Sequence, residues 1–188
     1  MRRSLSTGDA RAPAPEQALD FILYEHLRHR EMCNALDRLA EASTFNVDET
    51  TKLAAFIRTE LTLHVADEEE LFFPLLRERC LPEDEIGGAL DRLNREHAED
   101  RDLSALVRVL LLQAVTEEKA PAAIEGASNA LRAFAQSQRR HMMLENAVLI
   151  PLARRRLTPD DLTSLGKRLA ARGQTEASML YAPQERQV

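Results

Sequence analysis

Two segments decide the fold: His64-Val-Ala-Asp-Glu68-Glu-Glu-Leu-Phe-Phe-Pro74 and His141-Met-Met-Leu-Glu145-Asn-Ala-Val-Leu-Ile-Pro151. In each, a histidine is followed four residues later by a glutamate and ten residues later by a proline. Residues i and i+4 share one face of an α-helix, so each segment aims a nitrogen and a carboxylate at the same point. Beyond the prolines the likeness continues with Leu75, Arg77 and Arg79 against Leu152, Arg154 and Arg156. Upstream, Glu25-His26 and Glu96-His97 stand in matching places. The chain therefore reads as two copies of one helical hairpin.

Working outward, apolar positions recur at three- and four-residue steps, the signature of a buried helical stripe. Leu19, Ile22, His26, His29, Cys33, Leu36 and Ala40 predict helix A over about 16–42. After turn and cap residues at 43–48, Leu53, Ile57, Leu61, His64, Glu68, Leu71 and Leu75 predict helix B over 48–79. Pro82 and the acids after it open helix C, 83–117, with His97 on its apolar face, and Pro121 opens helix D, 121–156, with His141 and Glu145. Pro74 and Pro151 are expected to kink helices B and D just beyond the glutamates. Thr158-Pro159-Asp160-Asp161 caps a short outer helix, 159–172, that Gly173 is expected to stop. The expected fold is all-α: an antiparallel up-down four-helix bundle over 16–157 with a short additional C-terminal helix. Residues 1–15, which carry Pro13 and Pro15 without periodicity, read as a disordered lead-in, and 158–188 as the short helix and a frayed tail.

Composition agrees. The 188 residues suffice for one core, and only 6 glycines, no tryptophan and 4% aromatics argue against a sandwich or barrel. Twenty-five basic residues are interleaved with 31 acidic ones for a net charge of −6, which disfavours nucleic acid as a partner. No apolar run approaches the roughly 20 residues that cross a bilayer. The N-terminus lacks the apolar core of a secretory signal, and Cys33 and Cys80 have no CxxC partner, so a cytoplasmic protein with free thiols is expected.

The chemistry rests on five scarce histidines. Four helices each bring one into an apolar stripe, and two add a glutamate one turn on. Buried groups of this kind are costly unless paired or metal-bound. Six side chains suit a dinuclear site: if both glutamates bridge, each metal receives about four protein donors, with positions left for water or a small gas. Imidazole with carboxylate suits iron, with manganese or zinc as substitutes. No histidine has a glutamate three residues before it, which separates the pattern from Glu-x-x-His di-iron bundles.

At this point the sequence resembles the hemerythrin-like (HHE cation-binding) family. The matching segments are Phe21-Ile-Leu-Tyr-Glu-His26, His64 to Pro74, Arg95-Glu-His97 and His141 to Pro151. The resemblance implies a non-haem di-iron centre, two iron ions joined by an oxo or hydroxo bridge, with His26, His64, Glu68, His97, His141 and Glu145 as ligands. Oxygen-carrying members place a second histidine four residues after the helix C ligand, where this chain has Arg101. The chain thus resembles the non-carrier type, whose members are associated with oxygen, iron, peroxide or nitric-oxide responses.

The expected function is a di-iron protein reacting with oxygen, peroxide or nitric oxide, hence a possible oxidoreductase of peroxide or nitric-oxide detoxification. The alternatives are an iron, oxygen or redox sensor without significant turnover, and a metal-free helical adaptor. Among the remaining residues, His29 is read chiefly as a core residue, with an accessory donor role as the alternative. Glu69 and Glu70 are read as a solvated helix face, although Glu69 could hold a neighbouring imidazole in one tautomer. Asp100 and Arg101 are expected to pair as a polar plug near the site, and Cys33 to be a small buried residue.

Overall fold

A computed structural model describes residues 17–180. The predicted lead-in, 1–15, and the end of the predicted tail lie outside the described residues. Within them the elements are α1 (Ala18–Glu41), α2 (Val47–Arg58), α3 (Glu60–Asp67), α4 (Phe73–Arg79), α5 (Ile86–Thr116), α6 (Ala127–Leu144), α7 (Ile150–Arg156) and α8 (Pro159–Leu180), with no strand among the described residues. The predicted helix A is α1, helix B is α2 to α4, helix C is α5, and helix D is α6 with α7. They form the expected four-helix bundle, in which α1 packs on α6, α6 on α5, and α5 on α2.

Several boundaries differ from the periodic expectation. Helix B is interrupted at Thr59, whose hydroxyl donates to the Ala55 carbonyl at 2.9 Å, the back-bonding that distorts helices without glycine or proline. The helix C segment begins with a 3₁₀ turn, Pro82–Asp84, and α5 follows only after Glu85, which is left-handed at φ 49°. Pro121 likewise opens a 3₁₀ turn, Pro121–Ala123, and α6 starts after Gly126, whose φ of 77° suits a residue without Cβ. The outer helix does not stop at Gly173: α8 continues to Leu180. One glycine inside a helix costs only about 1 kcal/mol, which flanking residues can absorb.

The prolines act differently from a simple kink signal. A π-helical turn, Glu68–Phe72, joins α3 to α4, and a second, Glu145–Leu149, joins α6 to α7. Each begins at a candidate ligand and closes with an i to i+5 bond, from Phe73 N–H to the Glu68 carbonyl and from Ile150 N–H to the Glu145 carbonyl. In an ordinary α-helix, Pro74 and Pro151 would press on the carbonyls of Glu70 and Ala147. Both carbonyls fall inside the widened turns, so the extra residue makes room for the ring.

The core is in two pieces. One, around Met32, Leu36, Leu53, Leu111, Leu131 and Phe134, fills one end of the bundle. The other, around Ile22, Phe72, Leu76, Leu90, Leu93 and Leu149, fills the opposite end and takes in Leu165 and Leu169 of α8. His26 lies in sequence between Ile22 of the second piece and Met32 of the first, and the polar layer it belongs to sits between them. The capping of α8 is as the sequence predicts: Thr158 Oγ1 accepts from Asp161 N–H at 3.1 Å, and the Asp161 carboxylate accepts from Thr158 N–H at 3.0 Å.

Candidate metal centre

His26 comes from α1, His64 from α3, His97 from α5 and His141 from α6, while Glu68 and Glu145 open the two π-turns. All six are buried. Their donor atoms fall into two sets that share Glu68, and Glu145 approaches one histidine of each. Glu68 Oε1 lies 3.2 Å from His64 Nε2 and 3.8 Å from His26 Nε2, and its Oε2 lies 3.4 Å from His97 Nε2 and 3.9 Å from His141 Nε2. Glu145 Oε2 lies 3.3 Å from His26 Nε2, and its Oε1 lies 3.2 Å from His141 Nε2. One side of the layer thus holds two imidazole nitrogens and one oxygen from each carboxylate, and the other two imidazole nitrogens and Glu68 Oε2, with Glu145 Oε1 close to His141 alone.

The groups of donors close enough to hold an ion are His26, His64, Glu68 and Glu145 on one side, and Glu68, His97 and His141 on the other. Among the described residues, His26 Nε2 and both oxygens of Glu68 and Glu145 have no hydrogen-bond partner. Buried carboxylate oxygens left this way are costly, and a cation between them removes the cost. The donor set, nitrogen and oxygen without sulfur, fits a borderline or hard transition-metal ion.

The electrostatics of the protein without metal point the same way. Burial pushes the His141 imidazole down, but Glu145 and Glu68 outweigh it and carry its pKa up to about 11. Burial is likewise overcome at His64, chiefly by Glu68 and Glu25, and at His26 by Glu68 and Glu145. Burial alone would raise Glu68, yet His64, His141 and His26 hold it well below the usual carboxylate range. Glu145 stays raised, by burial and by the charge of Glu68. The two glutamates thus raise His26, His64 and His141 against the pull of burial, which marks the centre as a place that favours positive charge.

Residues 17–153 match the model of the hemerythrin HHE cation binding domain. The chain belongs to that family. No curated protein matches it.

In this HHE domain every Nε2 faces the centre and every Nδ1 faces outward to a fixed acceptor. Glu25 Oε2 lies 3.1 Å from His64 Nδ1, and Glu96 Oε2 lies 3.2 Å from His141 Nδ1. Glu69 Oε1 lies 3.1 Å from His97 Nδ1, and Asn146 Oδ1 lies 2.9 Å from His26 Nδ1. An acceptor at Nδ1 keeps the proton there and leaves Nε2 free as a donor to metal. The solvated-face reading of Glu69 is thereby corrected. Its neighbour Glu70 is exposed and pairs with Arg172 at 3.1 Å. The Glu-His dipeptides held the signal for Glu25 and Glu96, and the residue after each candidate glutamate held it for Glu69 and Asn146.

His29 lies outside both donor groups. It is buried with its ring edge-on to His64, at 4.4 Å between centroids, and to Phe56, at 5.6 Å. Asp100 and Arg101 do not pair with one another. Asp100 is buried and accepts from Gln138 Nε2 at 2.8 Å and Ser137 Oγ at 3.1 Å, whereas exposed Arg101 approaches Glu69 at 3.7 Å. Cys33 is fully buried in the first core piece, and burial pushes its thiol up to about 12.

Proposed function

We propose that the chain binds two iron ions, one on each side of the layer, with His26, His64, His97 and His141 as terminal ligands and Glu68 and Glu145 as bridges. The observation that carries this reading is the division of each carboxylate, one oxygen toward each histidine pair. Iron held in this way supplies redox chemistry toward dioxygen, peroxide or nitric oxide at positions that the six side chains leave open. The protein's own part is to hold those side chains in one tautomer and to exclude bulk water. The outer acceptors do the first, and the two apolar core pieces do the second. Manganese or zinc would suit the same donors in place of iron. We place the protein in the cytoplasm, a reading supported by the free thiols Cys33 and Cys80.

The test is metal analysis of protein purified without added metal, together with its absorbance spectrum. Two irons per chain are expected, and sub-stoichiometric metal that cannot be raised by loading would overturn the reading. A second reading, a sensor without turnover, is favoured by Arg172 of α8, which reaches Asp67 at 3.0 Å and Glu70 at 3.1 Å beside the first π-turn. A change at Glu68 would have a direct path to α8. Peroxide consumption well above that of free iron supports the oxidoreductase, and a stoichiometric reaction with a changed α8 supports the sensor.

A further inference from the structure

The two hairpins can be laid on one another by matching His26 with His97 and His141 with His64. This register pairs Asp20 with Asp91, Arg30 with Arg101, Arg154 with Arg77, and Asn146 with Glu69. On the His97 face the arginines are occupied. Arg77 holds Asp91 at 2.6 Å, and Arg101 lies 3.7 Å from Glu69. On the His26 face the corresponding acid is an amide. Arg30 has no carboxylate partner among the described residues, and Arg154 reaches Asp20 only at 4.0 Å.

That face is also open. A cleft of about 360 Å³ lies between α1 and α7, with His26 and Asn146 among its lining residues, apolar walls from Leu23 and Leu27, and Arg30 and Arg154 also lining it. No acid lines it. Leu23 and Leu27 stand where the other hairpin has Asn94 and Ala98. Asn146 spends its oxygen on His26 Nδ1, so what it can offer the cleft is its Nδ2 hydrogens. A glutamate there would offer only acceptors and a negative charge.

We propose that this cleft is a binding site for a small, weakly hydrated monoanion, held by Arg30 and Arg154 with the Asn146 amide beside His26. Guanidinium groups recognise planar oxyanions and carboxylates through paired donors, and the leucine walls favour an anion that sheds water readily. The site lies outside the donor layer, so it goes beyond the metal reading and does not depend on it. If both hold, an anion is concentrated next to one side of the centre and not the other.

Nitrate, a poor metal ligand, is the probe. Isotope-labelled full-length protein, metal-free and zinc-loaded, is titrated with sodium nitrate at constant ionic strength while the Arg30 Nε–H and Asn146 Nδ2–H₂ signals are followed by NMR. Saturable shifts at both residues are expected, without saturation at Arg101. Arg30→Gln should weaken binding roughly tenfold, the usual worth of one charge-assisted hydrogen bond, and Asn146→Asp by at least as much. Arg101→Gln should leave it unchanged. Shifts that rise linearly without saturating, or equal losses in Arg30→Gln and Arg101→Gln, would overturn the proposal. Zinc uptake is measured on the same samples: saturable nitrate binding without zinc uptake would count against the metal reading alone, and zinc uptake without nitrate binding against the cleft alone.

Discussion

The two hairpins agree where they meet and differ where they face outward. At the shared layer each supplies a histidine from its first helix and a His-x-x-x-Glu pair from its second, and each sets its glutamate at the start of a π-turn ahead of a proline. One step further out the copies part. His97 is held by a carboxylate and His26 by an amide, Asp100 stands where the first hairpin has His29, and Asp67 where the second has Leu144. What the two halves keep in common is the donor layer, while the side chains that hold its imidazoles differ in charge from one half to the other.

The largest effect should come from the two glutamates of the donor layer, proposed as bridges, and it should be unequal. Glu68 lies within 3.9 Å of all four Nε2 atoms, while the close ion pairs of Glu145 are with His26 and His141. Glu68→Ala should lower metal affinity by more than about hundredfold, beyond the range typical of supporting residues, and Glu145→Ala by less. Metal per chain against a competing chelator measures both, and equal losses would break the distinction. Next come the outer acceptors: Glu25→Gln, Glu96→Gln and Glu69→Gln should each cost roughly tenfold in affinity, whereas Asn146→Ala should cost less, because an amide holds an imidazolium-like ring more weakly than a carboxylate does.

How much of this was legible in the sequence follows from what a single helix can reveal. The six donors showed because histidine and glutamate are conspicuous on an apolar stripe and because the hairpin is repeated. The acceptor of each imidazole sits on a different helix, and a contact between helices leaves no period in either one. Glu69 therefore looked like one more acid in a run. The π-turns were hidden for another reason: one inserted residue shifts the stripe by less than a turn, and only the proline six residues after each glutamate betrays it. The break at Thr59 has no glycine or proline to announce it, since its cause is a hydroxyl bonded to a carbonyl one turn back.

The supports that differ between the hairpins should also differ in stability. Asp100→Ala strands the buried Gln138 amide and should cost about 2 kcal/mol in urea unfolding, and His29→Phe, which forfeits ring packing but no hydrogen bond, less than about 1.5 kcal/mol. Arg172→Ala frees Asp67, a carboxyl that burial carries up to about 7 against the pull of Arg172, and about 1 kcal/mol is expected because the arginine is partly exposed. The second hairpin, with Leu144 at that position, has no counterpart to lose.

The smallest effect concerns Cys33, whose counterpart in α5 is Ser104, bonded to the Arg101 carbonyl at 2.9 Å. Burial raises the Cys33 thiol from 9.0 to about 12, so it stays neutral in the folded chain while an unfolded thiol ionises above about pH 9. The unfolded state then binds fewer protons, and stability must fall as pH rises between these two values. At pH 9.5 the loss is under about 1 kcal/mol. Cys33→Ala should remove that alkaline slope while lowering stability at neutral pH through the lost sulfur packing, and Ser104→Ala should leave the slope untouched. Denaturant midpoints at pH 7.5 and 9.5 separate the two: a thiol with an unshifted pKa would give no Cys33-dependent slope in this window, and one already ionised in the fold a slope of the opposite sign. Burial also makes Cys33 slower than half-buried Cys80 toward an alkylating reagent, so a Cys33 that labels first would contradict the buried packing from which the slope is derived.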